Sequence, residues 1–451
     1  MGRALNGTYR HTGDKRSSWC GNTGFVRRVG PGFFPLDEEL ELLPGSLSPY
    51  LQEQLTRLST WIPSFAKAAA LLEIFTGAHV SASGARRHCE EAGAIYVAQQ
   101  EAEVERVRRD AVDEQPGPER LVISVDGAMV PLVGGEWKEC KTLVVGEPRV
   151  KSGSQGEQVV KSEHLSYFSR AAEVGNFTWQ ALVETQRRGV ATAKGVASVS
   201  DGAEWIQSFV AFHRPDAVRI LDLPHVGEYV NKVAQALYGE GTPQAQSWWQ
   251  TQMQQLKEQG PGPLLATLRG HCEQQPQCST LGDSLAYLQK REGQMNYPAY
   301  QADGWPLGSG MVESANKLLV EDRLKGSGMH WAVDHVNPLL ALRTIVFNDR
   351  WDEAWRQIAL GLRQQAQRRR FANWEKRHHP PEPDQQPAPQ VEAEPRARTS
   401  ATAPTSQTRP EPTADAKPSG PHRPAPDHPW RHSTVGKARY QPWKPYEPTK
   451  T

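Results

Sequence analysis

The chain lacks net charge. Its 52 Lys and Arg against 51 Asp and Glu leave +1 over 451 residues. No global field therefore draws it to a polyanion or an acidic membrane surface, and any nucleic-acid affinity must come from local basic patches. Cysteine is scarce: Cys20, Cys89, Cys140, Cys272 and Cys278 lie scattered along the length. That excludes a disulfide framework and points to a reducing compartment. His271, Cys272 and Cys278 cluster loosely, but no second pair at ligand spacing follows to complete a zinc site. Long apolar runs are missing too. The opening MGRALNGTYRHTGDKRSSW has no leader-like core, no stretch is long enough to span a bilayer, and no internal repeat stands out. A soluble, cytoplasmic protein is expected.

Proline, by contrast, is plentiful. Beyond residue 370, Pro, Ala, Glu and Gln follow one another without periodicity, so residues 371–451 are expected to form a disordered tail. Residues 1–32 are polar, Gly-rich and dotted with basic side chains, and read as a ragged start. Across residues 33–113 apolar positions recur at helical spacing, from Leu47 to Phe75 and again after Ser81 and Ser83. A break holding Gly77 separates the two runs, and the second carries Arg86, Arg87 and His88. The pattern fits a helix-turn-helix that would bind DNA, and it fits a plain helical bundle. EQPGPE, residues 114–119, reads as a linker.

The periodicity then becomes that of strands. Leu121–Val125, Trp137–Glu147 and His164–Arg170 are followed by a helix over Phe177–Arg188, a strand over Gly195–Ser200, a helix over Gly202–His213 and a strand over Ala217–Leu221. This β-β-β-α-β-α-β order is that of a ribonuclease-H-like mixed sheet, an α/β layer architecture. It occupies residues 120–225 and is completed by 305–355. Between them, residues 226–304 are helical and Gln-rich, an insertion in the core.

Three acids sit where chemistry is usually found. Asp126 is read as ending the first strand, with Gly127 behind it to let the backbone turn. Asp201 ends the fourth strand and is followed by Gly202. Glu313 opens a helix after Gly308-Ser309-Gly310. The first and fourth strands of such a sheet are neighbours, so the two aspartates should face each other. Two Asp and one Glu on rigid elements can hold a pair of divalent cations for an in-line phosphoryl displacement, and oxygen-only ligands suit Mg²⁺ or Mn²⁺. Asp222 ends the fifth strand and leads to His225, either as a turn before a helix or as a polar pair beside the metals. Phosphate contacts are expected from Arg86, Arg87, Arg323 and Lys325, with Arg187, Arg188 and Arg368–Arg370 as further basic runs. Trp137, Trp248, Trp249 and Trp331 are candidates for stacking on unpaired bases, though tryptophan more often packs inside.

ISVDGAMVP around Asp126, VSDGAEWI around Asp201, ILDLPHVGEYV around Asp222 and GSGMVESANKLLVEDRLKGSGMHW around Glu313 resemble DDE transposases of bacterial insertion sequences, the ISKra group related to Mutator-like elements. GFFPLDEELELLPGSLSPYLQEQL and HPWRHSTVGKARY also look like that group. The resemblance covers most of residues 30–355 and the extreme C-terminus, and is densest where Arg323, Gly328, Met329 and Trp331 follow Glu313. It implies a ribonuclease-H-like fold with an all-helical insertion, metal ligation by Asp126, Asp201 and Glu313, and an Asp/Cys-x-x-His signature at Asp222 and His225. It also implies double-stranded DNA, at transposon ends and target, as the partner, and a homodimer or higher oligomer on that DNA. Asp222 remains an alternative to Asp201 as second ligand. Where the family has an N-terminal cysteine cluster, this chain has Cys20 alone, and its upstream region is short, as in a truncated copy. Two other outcomes stay open: a ribonuclease-H-fold nuclease without strand transfer, and a non-catalytic DNA-binding relic.

Overall fold

The computed structural model describes residues 4–10, 16–22, 39–110, 115–152 and 158–378. The PLDE stretch before residue 39 and the tail from residue 379 lie outside the described residues. Where the sequence suggested a ragged start, β1 (Ala4–Arg10) and β2 (Arg16–Asn22) pair antiparallel.

The apolar run from Leu47 forms two helices. Ser48 caps α1 (Pro49–Trp61), accepting from the Leu51 N–H at 3.3 Å, with Pro49 at the first position, where its missing N–H costs nothing. Pro63 then halts the helix, and Ser64 caps α2 (Phe65–Thr76) by accepting from the Lys67 N–H at 3.3 Å. Gly77, at φ 68°, terminates α2 in the left-handed region. The long helix α3 (Ala82–Asp110) carries Arg86 and Arg87 outward, whereas His88 is buried with its Nδ1 3.0 Å from Gln52 Nε2. On its inner face Cys89 and Ala92 share an apolar core with Val130, Leu319, Leu339 and Trp351. The helical segment is thus built into the same core as the sheet.

Five strands form the main sheet in the order β5-β4-β3-β6-β7. β3 (Arg120–Pro131) pairs antiparallel with β4 (Trp137–Ser152), and β4 with β5 (Gln158–Arg170). β6 (Gly195–Ser200) runs parallel to β3 on one side and to β7 (Val218–Leu221) on the other. The segment read as a linker is docked: a Cβ on Gly117 would lie 2.2 Å from the Gly189 carbonyl oxygen, so the chain passes flush against that loop before Gly195 N–H bonds to Glu119 O at 3.0 Å.

Side-chain alternation sorts the core into layers. Leu121, Ile123, Val125 and Leu143 face α4 (Val174–Gln180), α5 (Leu182–Arg187) and α6 (Glu204–His213), meeting Phe177 and Phe209. On the other face Val122, Ala197, Val199 and Ile220 pack against the helices that follow β7: α7 (Leu223–Tyr238), α8 (Pro243–Gln259), α9 (Pro261–Gln274), α10 (Ser279–Lys290) and α11 (Tyr297–Ala302). Farther along that face Ala128, Val130, Cys140 and Val144 meet α12 (Gly310–Asn316), the π-helical turn Lys317–Glu321, α13 (Asp322–Leu324), α14 (Val333–Phe347) and α15 (Trp351–His378). α15 continues eight residues into the stretch read as tail, to His378.

Two consequences are measurable. A Cβ on Gly93 of α3 would lie 2.3 Å from the Pro338 carbonyl oxygen on α14. Both sides of that contact are helix backbone, so Gly93→Ala should force the helices apart and lower stability by about 1–3 kcal/mol or more; an unchanged urea midpoint would refute the contact. The second concerns His213, buried with Nδ1 3.1 Å from Thr185 Oγ1 and Nε2 3.0 Å from Thr178 O. Burial lowers its pKa to about 4. The unfolded chain takes up a proton near the ordinary value of ~6.5 while the folded chain does not, so stability is lost as pH falls from ~6.5 toward 4, at up to ~1.4 kcal/mol per pH unit for this group. His213→Phe should flatten that slope, and parallel slopes for both proteins would count against the assignment.

Candidate active site

Two apolar clusters cover the same face of β3, one around Val122 and one around Val130. In the seam between them alternation puts Ser124 and Asp126. Ser124 is fully buried and its hydroxyl has no hydrogen-bond partner among the described residues; Asp126 is mostly buried. Contrary to the sequence reading, Asp126 does not end its strand. It sits within β3 opposite Thr142, and Gly127 pairs with Lys141 and makes no turn. A Cβ on Gly127 would lie 2.3 Å from Glu139 Oε1, so that side chain would have to swing aside. What ends near Asp126 is the parallel pairing. The β3–β6 ladder runs from Arg120↔Gly195 to Ile123↔Ser198, and continuing its register three residues brings Asp126 abreast of Asp201.

Asp201 follows β6 directly. Its Oδ1 accepts from the Ala203 N–H at 2.9 Å, a side-chain turn that leads into α6. Gly202 takes φ 78°, where a side chain would be strained. Glu313 lies in the first turn of α12, exposed, while Val312, Ala315 and Asn316 are buried beneath it. Asn316, one turn along, donates from Nδ2 to Asp126 Oδ2 at 2.8 Å and so ties α12 to β3. The helix then widens into the π turn, a local feature found often at functional sites.

Electrostatics couples these acids. Burial pushes the Asp126 pKa up, and the like charges of Asp201 and Glu313 push it the same way, against hydrogen bonds from the Gly127 backbone and Asn316. Asp222 is also shifted up by burial, with Glu313 adding to it, while hydrogen bonds from Ser309 and His225 oppose. Its geometry is that of an anchor: Oδ2 caps α7 by accepting from the His225 N–H at 3.1 Å, and Oδ1 accepts from the Ser309 N–H at 2.7 Å. Asp222 thereby fixes the loop that delivers Glu313. His225 lies at the edge of Tyr229 and Tyr287, ring centroids 5.4 and 5.8 Å away, with Nδ1 3.6 Å from Glu228.

Among the described residues, no three His, Cys, Asp or Glu side chains come close enough to form a metal-binding group. The donor set nevertheless suits a hard divalent cation: oxygen ligands only, in a partly dehydrated seam where the charges bearing on Asp126 are negative. His271, Cys272 and Cys278 form no such group either, and both thiols are free.

The basic candidates divide. Arg86 and Arg87 are exposed, Arg86 within 3.9 Å of Glu90. Lys325 pairs with Glu321 at 2.8 Å at the surface. Arg323 is not a surface residue: it is fully buried, its Nε donates to Ser59 O at 3.4 Å, and its guanidinium lies 4.5 Å over Phe65. Trp331 is likewise core, its Nε1 donating to Leu324 O at 3.0 Å. Both look basic or aromatic in sequence, yet the isolated Leu132–Trp331 bridge draws the chain after α13 back against the sheet and encloses them. Of the other tryptophans, Trp137 is exposed, while Trp249 is fixed by donating to Gly227 O at 2.8 Å. Asn316 and Ser309 were missed by sequence reasoning. The signal for Asn316 was present: it stands at i+3 from Glu313 on a helix, hence on the same face.

A mixed α/β protein with an acidic seam where two parallel strands part is the class that fold and side chains define. Residues 27–275, more than half of the chain, match the Uncharacterised protein family (UPF0236), and the protein belongs to that family. The matched span contains Asp126, Asp201, Asp222 and His225 and stops short of Glu313. No curated protein matches the chain. No helix among the described residues is long and apolar enough to cross a membrane.

Proposed function

We propose that this protein is a DDE-type transposase of the insertion-sequence class, cutting transposon-end DNA and joining 3′ hydroxyl ends to a target on a ribonuclease-H-like core. The observation that carries the reading is the seam at Asp126: a mostly buried carboxylate on the central strand, past the end of the β3–β6 ladder beyond which Asp201 also lies, with the like charges of Asp201 and Glu313 acting on it. Such crowding is unfavourable in a purely structural cluster. The sheet order β5-β4-β3-β6-β7, with helices between β5, β6 and β7, supports the ribonuclease-H-like reading, as do the four sequence blocks that resemble these transposases.

Asp126, Asp201 and Glu313 would hold Mg²⁺ or Mn²⁺. Two such ions, when bound, activate the attacking oxygen and neutralise charge on the leaving one. Asn316 holds the Asp126 carboxylate in one orientation. Asp222 sets the Glu313 loop, and His225 stands at the start of α7, where it can meet a scissile phosphate. Arg86, Arg87 and Lys325 are the surface cations available for double-stranded DNA, whose binding rests on phosphate contacts, and a dimer or higher oligomer on paired ends completes the proposal.

The test is incubation of the full chain, with Mg²⁺ or Mn²⁺, on a plasmid carrying the DNA that flanks its gene. Strand cleavage followed by covalent joining to a second plasmid is the expected result. Cleavage without joining would make it a nuclease, and binding with neither would make it a non-catalytic relic.

A further inference from the structure

We infer that the helical insertion positions the second carboxylate, with Tyr287 and Arg291 clamping the main chain at Asp201 and Gly202. The inference rests on Asp201 being a metal ligand. The β6–β7 ladder ends at Ser200↔Leu221, so the carbonyls of Asp201 and Gly202 lie past the sheet's hydrogen bonding and need other donors. The insertion brings both. Tyr287, on α10, donates its hydroxyl to Asp201 O. Arg291, just beyond α10, donates from Nε to Gly202 O at 2.9 Å.

The donors are themselves held in place. Tyr287 stacks on Tyr229 with ring centroids 4.0 Å apart and planes 5° from parallel. The Arg291 guanidinium lies 3.8 Å from the Tyr287 centroid, its Nη1 donates to Tyr287 O at 3.1 Å, and Nη2 is 3.5 Å from Glu204 on α6. Arg291 is buried, and it reaches Gly202 so closely that a Cβ there would lie 2.6 Å from its Nε. Gly202 is therefore required twice over, by its φ and by the guanidinium against it.

The same device recurs one strand over. Tyr297 donates to Leu221 O at 2.9 Å, holding the chain that leads to Asp222. Side chains of the insertion thus bind the backbone at the ends of both parallel strands. A carboxylate on a freely moving loop must be ordered when it takes a metal; on a clamped loop that cost is already met. Tyr287 and Arg291 act through Asp201 and are positioning residues.

The measurement is Mn²⁺ binding to the full chain, followed by the EPR signal of free Mn²⁺, beside the Mn²⁺ dependence of DNA cleavage. Tyr287→Phe keeps the stacked ring and removes the hydroxyl. It should weaken Mn²⁺ binding by about tenfold, the equivalent of one hydrogen bond, and raise half-saturating Mn²⁺ for cleavage by the same factor, with excess Mn²⁺ restoring the rate. Arg291→Met should behave alike and Arg291→Lys should recover part of the loss, while Tyr300→Phe, whose hydroxyl donates to Gly293 O within the insertion at 3.0 Å, should bind as the unmodified chain does. Wild-type Mn²⁺ affinity in Tyr287→Phe would overturn the clamp and leave the transposase reading standing. An unmodified chain that binds no Mn²⁺ and cuts no DNA would overturn that reading, and the clamp with it.

Discussion

Asp126→Asn is expected to abolish metal-dependent cleavage and joining, with a loss of at least roughly three orders of magnitude, about 4 kcal/mol of transition-state stabilisation. DNA binding should persist, because it rests on Lys and Arg spread over the surface. The metal-free protein should be no less stable than the unmodified chain. Its Asp126 carboxylate is mostly buried, and the like charges of Asp201 and Glu313 act on it. Asn removes a charge that burial and like charges both oppose, and it keeps an oxygen that can accept from Asn316 Nδ2. Loss of activity together with an equal or higher thermal midpoint is the signature of an acid kept for chemistry at the expense of stability. Glu313→Gln should lose activity to a similar degree with little change in midpoint, since Glu313 is exposed. Full Mg²⁺-dependent cleavage in both variants would end the transposase reading; a large drop in midpoint for Asp126→Asn would make Asp126 a structural residue.

How far the sequence reached is clearest at Asp126. Its strand was legible, because Leu121–Val125 is a short β-branched run with no competing helical period. Its neighbour was legible too, since β6 was expected beside β3 and is found there. The strand's length was not. Asp-Gly reads as a turn because those residues dominate turns, but here pairing with β4 continues to Pro131 and overrides the local preference. The Glu139 side chain that lies against Gly127 comes from another strand, a contact that no local pattern announces. Arg323 illustrates the converse failure. Arg and Lys two residues apart read as a surface patch, yet the chain turns Arg323 inward against Phe65 from α2. Hydropathy gives the cost of burying an arginine, not whether distant aromatic residues will enclose it. The insertion was recognised as helical, but its tyrosines carry no periodic signal for the carbonyls they reach.

The choice between Asp201 and Asp222 as second ligand turns on what each carboxylate already does. Asp201 spends one oxygen on the Ala203 N–H and leaves the other without a hydrogen-bond partner among the described residues, in a residue that is partly exposed. Asp222 is buried, and both its oxygens accept backbone hydrogen bonds, from Ser309 and from His225. Asp201 also figures among the charges acting on Asp126. Asp201→Asn should therefore remove metal binding and activity with the thermal midpoint nearly unchanged. Asp222→Ala should act on both. Losing the α7 cap costs about 1–2 kcal/mol, and leaving the Ser309 N–H buried without an acceptor costs about 1–3 kcal/mol more. Once Ser309 is released, Glu313 is carried on an unanchored loop, so cleavage should fall along with stability. Even Asp222→Asn is not conservative here, because its amide nitrogen would face one of two N–H donors. Thermal midpoints and Mn²⁺ affinities measured on the three variants separate the roles. Should Asp222→Asn lose metal and activity at an unchanged midpoint while Asp201→Asn keeps both, the triad is Asp126, Asp222 and Glu313.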